Sequence, residues 1–114
     1  RAGAVEGLLR LGDREAHNQA LLVAADLARH SDPSVRSASA QALGLAGNRK
    51  ALQVLETLMQ DQQPQPRLTA VHALGKIGGR EVVPLLKKAL QDSDPAVRIA
   101  AAGSLAQVLT APRR

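Results

Sequence analysis

Apolar residues recur along this chain at helical spacing, in stripes separated by short polar turns. Val35, Ala40 and Leu43 form one stripe, and Val97, Ala101 and Leu105 another. Leu52, Leu55 and Met59, then Val83, Leu86 and Leu90, form two more. The spacing predicts helices over residues 1–11, 15–30, 33–46, 49–60, 64–77, 80–91 and 95–110. Asp32 and Asp94 each stand before a proline, where a carboxylate can take the free amides of a first helical turn. Pro84 falls in an opening turn, where its missing N–H costs least. Gly47 and Gly78 suit the left-handed turn that ends a helix.

The stripes belong to a repeat. Asp32-Pro33-Ser34-Val35-Arg36 recurs 31 residues later as Gln63-Pro64-Gln65-Pro66-Arg67, and 31 later again as Asp94-Pro95-Ala96-Val97-Arg98. Ser39-Ala40, Ala70-Val71 and Ala101-Ala102 keep the same register, as do Leu43-Gly44, Leu74-Gly75 and Leu105-Ala106. Gly47-Asn48-Arg49-Lys50-Ala51 matches Gly78-Gly79-Arg80-Glu81-Val82, and both match Gly12-Asp13-Arg14-Glu15-Ala16. That first copy sits 35 residues upstream of the second, which places one extra helical turn, or a longer loop, within residues 16–20. With the shift, Arg1 aligns with Arg36, Ala4-Val5 with Ser39-Ala40, and Leu8 with Leu43. The chain therefore begins inside a repeat and reads as a piece of a longer array, or a cap on one.

Asp92-Ser93-Asp94-Pro95-Ala96-Val97-Arg98 and Leu74-Gly75-Lys76-Ile77-Gly78 resemble the opening and close of a HEAT-like unit. The likeness to the HEAT-repeat superfamily covers the whole chain, and is strongest to short bacterial units also found in phycobilisome-lyase-type proteins. The resemblance implies an all-α fold: an α-α superhelix, a right-handed solenoid of helical hairpins. It divides the single domain 1–114 into a partial repeat 1–12 and repeats 13–47, 48–78 and 79–111. First helices would line a convex side and second helices a concave one. It also implies a structural ladder in which Arg36, Arg67 and Arg98 meet turn acids such as Asp61, Asp92 and Asp94, with Arg67 and Arg98 reaching turn acids or turn carbonyls at the repeat junctions. Replacing Arg98 would then strand a partner charge if the pair is buried. Departures from the pattern are His30 and Gln63 at acidic positions, Pro66 for Val, Leu109 for the closing glycine, and the ending Ala111-Pro112-Arg113-Arg114.

Composition narrows the chemistry. A length of 114 residues suits one domain, and the absence of any aromatic residue leaves Leu, Val, Ile and Ala to build the core. Small side chains let helices approach closely. The net charge of +5 leaves acidic partners or nucleic acid open, although the basic residues are interspersed with ten acids. With no cysteine, disulfides, thiolate metal sites and cysteine nucleophiles are excluded. No apolar run approaches about 20 residues, so no membrane span is expected, and no signal peptide is visible. The chain lacks an initiating Met, which leaves room for a removed leader. A cytoplasmic location is expected. His17, His30 and His72 match no metal-ligand spacing. The pairs Asp13/Glu15 and Asp92/Asp94 lie at turns and helix starts, where capping explains them. Gly75-Lys76-Ile77-Gly78-Gly79-Arg80 lacks the strand and Lys-Ser/Thr ending of a phosphate loop. Ser34, Ser37, Ser39 and Ser104 have no histidine in a nucleophile motif. No catalytic, cofactor-binding or metal residue is therefore assigned, and no enzyme activity.

The leading expectation is a scaffold that holds a protein partner on its concave face. Ser37, Gln41, Leu68, His72, Lys76, Ile99 and Gln107 would supply the contacts. A second expectation is a nucleic-acid backbone following the basic edge Arg14, Arg49, Lys50 and Arg80, which recur at one turn position. No aromatic is present there to stack a base. A third, an accessory segment of a bilin-lyase-like enzyme, rests on the resemblance alone. Val5, Leu8, Leu9 and Leu11 carry more apolar surface than one neighbouring helix hides, so the N-terminal end is expected to self-associate.

Overall fold

A computed structural model describes the backbone of residues 2–47 and 49–110, with side chains from Arg14 onward. The elements are α1 (Ala2–Leu27), α2 (Pro33–Ala46), α3 (Ala51–Leu58), α4 (Pro64–Ile77), α5 (Val82–Ala89) and α6 (Pro95–Thr110). The described residues contain no strand.

The helices form two layers. α2 packs on α4 and α4 on α6, making an inner layer; α1, α3 and α5 lie outside it and zigzag between successive inner helices. The result is a slab of 53 × 36 × 16 Å. Leu43, Leu55, Val71, Leu74, Val82, Leu86 and Val97 are fully buried between the layers.

Local chemistry sets the ends of the helices. Asp32 Oδ1 accepts the Ser34 amide at 2.8 Å, and Asp94 Oδ1 accepts the Ala96 amide at 2.8 Å. Proline opens α2, α4 and α6, where its missing donor would be unused. Gly47 closes α2 at φ 64°, and its N–H reaches the Leu43 carbonyl. Gly78 and Gly79 follow α4 at φ 70° and 87°. These are conformations that a side chain rarely adopts.

Glycine also governs how closely the inner helices approach. A Cβ on Gly44 would stand 2.7 Å from Ala73 Cβ and 2.8 Å from its Cα. A Cβ on Gly75 would stand 2.8 Å from Ser104 Oγ. The pairs Leu43-Gly44 and Leu74-Gly75 therefore each combine one buried leucine with one bare patch of backbone.

Helices 33–46, 64–77 and 95–110 fall where the spacing predicts them, and the outer helices are shorter than predicted. The beginning of the chain differs. Helices 1–11 and 15–30 are one continuous helix, α1, so the described residues form six helices where seven were expected. Gly12-Asp13-Arg14-Glu15-Ala16 is not a turn, and the repeat boundary at 12/13 falls inside a helix. A glycine inside a helix costs only about 1 kcal/mol relative to alanine. Glu15, Ala16, Gln19 and Ala20 are strong helix formers that offset it. The four extra residues lengthen the rod by a turn. At Gly47 and Gly78 the chain does reverse, and Leu55 and Leu86 bury completely beyond the turn. The expected self-associating surface of Val5, Leu8, Leu9 and Leu11 lies outside the described side chains. Arg1 and the ending 111–114 lie outside the described residues altogether.

Candidate partner-binding groove

The inner layer carries a groove of about 380 Å³. Gln41 of α2, Thr69, His72, Ala73 and Lys76 of α4, and Ser104 and Gln107 of α6 line it. Ala73 and Ser104 form the floor, at 2% and 6% exposure. Gln41, His72, Lys76 and Gln107 are exposed. His72 and Lys76 are one turn apart on α4 and so share a face. Ser104 Oγ donates to the Val71 carbonyl at 3.4 Å, and its lone pairs remain as acceptors. The site therefore offers amide, hydroxyl and cationic groups around a buried floor.

The structure brings together four of the seven residues expected on this face: Gln41, His72, Lys76 and Gln107. It places Ser37 elsewhere, buried, with an Oγ that has no hydrogen-bond partner. Ser37 lies seven residues before Gly44, two turns back on the stripe that meets α4. Leu68 bears the same relation to Gly75 and is half-buried against the core. Ile99 bears it to Ala106 and is 73% exposed. Positions 37, 68 and 99 therefore belong to the stripe that faces the next inner helix. Thr69, Ala73 and Ser104 complete the groove and were not anticipated. The signal available was Thr69, three residues before His72 and so on its face.

At the junctions between repeats, Arg36 donates from Nε to Asp61 Oδ2 at 2.6 Å and from NH2 to Oδ1 at 2.9 Å. Arg67 makes the same fork to Asp92, at 3.0 and 3.1 Å. Each arginine also reaches back to a turn carbonyl. Arg36 reaches those of His30 and Ser31, Arg67 that of Asp61, and Arg98 that of Asp92. The paired side chains are between 9% and 16% exposed. Burial pushes the Asp61 carboxyl upward. The Arg36 and Gln63 hydrogen bonds and the charges of Arg36 and Arg67 outweigh it, and hold the group below the ordinary carboxylate range. Asp92 is held down in the same way against its own burial, by hydrogen bonds from Arg67 and the Asp94 amide and by the charges of Arg67 and Arg98. The Asp61 hydrogen bond raises the Arg36 guanidinium above its usual value, against some desolvation. Arg98 is exposed, and Asp94 is occupied in capping α6, so these two do not form a rung.

The basic edge is less uniform than its sequence register. Arg49 and Arg80 flank turns, but Arg14 lies within α1. Arg49 pairs with Glu81 at 3.0 Å, which partly neutralises the row, and Lys50 precedes α3. His17 on α1, His30 in a turn and His72 on α4 lie on separate elements. Among the described residues no group of three or more His, Asp or Glu side chains could hold a metal ion.

The family described as HEAT repeats matches residues 1–68 and 54–113. The chain belongs to the HEAT-repeat family. A comparison with curated proteins finds no match. HEAT repeats generally serve as scaffolds for protein interaction. In this HEAT-repeat chain, no helix of the described residues is long and apolar enough to cross a membrane.

Proposed function

We propose that this HEAT-repeat chain is a non-catalytic scaffold that seats a protein partner in the α2/α4/α6 groove. One observation carries the reading. Three successive inner helices converge their exposed polar side chains on one concavity with a buried floor. His72 and Lys76 favour a partner segment that presents a carboxylate, with Gln41, Thr69 and Gln107 available to its backbone or amide groups. With no Trp or Tyr to anchor the interface, a single segment binds with modest affinity.

A phosphate backbone along the edge is the weaker reading, because Arg14 is out of line and Arg49 already has Glu81. Peptides selected from a displayed random library on the immobilised chain test the proposal. They should be enriched in Asp or Glu, and Lys76→Glu should weaken them at least tenfold. Lys87→Glu, on α5 away from the groove, should leave them unchanged. Peptides indifferent to Lys76→Glu would overturn the assignment.

A further inference from the structure

A second groove, of about 630 Å³, runs between α1 and α2 and is almost wholly apolar. Ala20, Val23 and Leu27 form one wall and Val35, Ala38 and Ala42 the other. The repeat register shows what these positions are built for. Ala42 is exposed, whereas its equivalents Ala73 and Ser104 are 2% and 6% exposed. Ala20, which stands 31 residues before Ala51 once the extra turn is passed, is exposed, against 1% and 0% for Ala51 and Val82. Leu27 is 39% exposed, against 3% and 4% for Leu58 and Ala89. Val35 is half-buried, whereas Pro66 and Val97 are buried. In the later repeats the preceding inner helix supplies the cover: Gly44 lies over Ala73, and Gly75 over Ser104. The α2–α4–α6 interface thus continues onto a face of α2 that no described inner helix covers.

The segment of this chain in register to fill that face is residues 2–11, whose Ala4-Val5 and Leu8 align with Ser39-Ala40 and Leu43. It is held away from the groove. α1 is unbroken from Ala2 to Leu27, and its own Ala20, Val23 and Leu27 are one wall. A continuous helix advances about 1.5 Å per residue along its axis, so it cannot also lie beside itself. We propose that two copies exchange these segments, each laying residues 2–11 of its α1 in the α1/α2 groove of the other. Exchange of an identical element is a low-cost route to a two-fold dimer. The usual hinge turn is here drawn out into helix at residues 12–16. Leu9 stands in the register of Gly44, so the exchanged helix would seat farther out than α2 does on α4.

The cysteine-free sequence allows a direct test. Leu9→Cys with Ala42→Cys, oxidised, should give a disulfide-linked dimer, while each single variant runs as a monomer on denaturing gels. The untagged chain should weigh two protomers by light scattering. Ala42→Glu, at an exposed position, should halve that mass with helix content unchanged. An intramolecular disulfide in a monomer would show residues 2–11 folding back into their own groove and would overturn the proposal. So would cross-linked single variants, the absence of any cross-link, or a dimer indifferent to Ala42→Glu.

Discussion

Ser37 and Ser39 are two residues apart on α2 and both are buried, yet their hydroxyls fare differently. Ser39 Oγ donates to the Ala24 carbonyl and ties α2 to α1, whereas Ser37 Oγ has no partner. A buried hydroxyl without a hydrogen bond loses its hydration for nothing in return. Ser37→Ala should therefore leave stability unchanged or raise it by up to about 1 kcal/mol, and Ser39→Ala should lower it by about 1 kcal/mol. Urea midpoints of the two variants check this, and a loss at Ser37→Ala would reveal a partner for the hydroxyl. The same scale shows which part of the groove the sequence made legible. Gln41, His72, Lys76 and Gln107 stand out as polar positions on otherwise apolar helices. Ser37 also looked polar and outward, but its face is decided by its distance from Gly44, and that glycine's role appears only once α4 is in place. His30 is a further case. It departs from the acidic pattern, yet its Nδ1 accepts the Asp32 amide at 3.0 Å, as Asp61 accepts that of Gln63 and Asp92 that of Asp94.

Among elements, two devices hold successive inner helices in register: close approach at glycine and the forked arginine at the turn. Gly44→Ala would drive a methyl into the Ala73 backbone, and should cost about 2 kcal/mol, read as a lowered thermal midpoint. Arg67 and Arg98 share one sequence position but not one environment. Arg67→Ala removes a covered fork to Asp92 and should cost about 2 kcal/mol, whereas Arg98→Ala, at an exposed side chain with a carbonyl contact, should cost under about 0.5 kcal/mol. Both Asp61 and Asp92 ionise at lower pH in the folded chain than in the unfolded one. Their contribution is therefore complete above the unfolded carboxylate pKa, near about 4, and is lost as pH falls through the lower folded values. Urea midpoints should fall below about pH 4 in the wild type and fall less steeply in Arg67→Ala. The sequence located α2, α4 and α6 well, because Asp-Pro or Gln-Pro opens each of them and a closing glycine ends α2 and α4. It misplaced the break at residues 12–16, because Gly12 alone does not stop a helix whose flanks favour continuing.

The described helices form a stack in which the main contacts of each are with its near neighbours in the chain. Its repetition was legible from the 31-residue register, and so was the family. The two grooves were less so, since both depend on how far each inner helix overlaps the next. One of them, between α2, α4 and α6, is polar and open to a partner; the other, between α1 and α2, is an apolar seat left by the register. The zigzag also bears on how the chain reaches this state. Contacts between adjacent hairpins close only short loops, so relative contact order is low and little chain entropy is lost before the first interface forms. Any adjacent pair of inner helices can serve as the nucleus, and growth then spreads outward by adding one hairpin at a time. α4 alone among the inner helices is flanked by inner helices on both sides. It shares both nuclei, and folding that starts in either half of the stack converges on it.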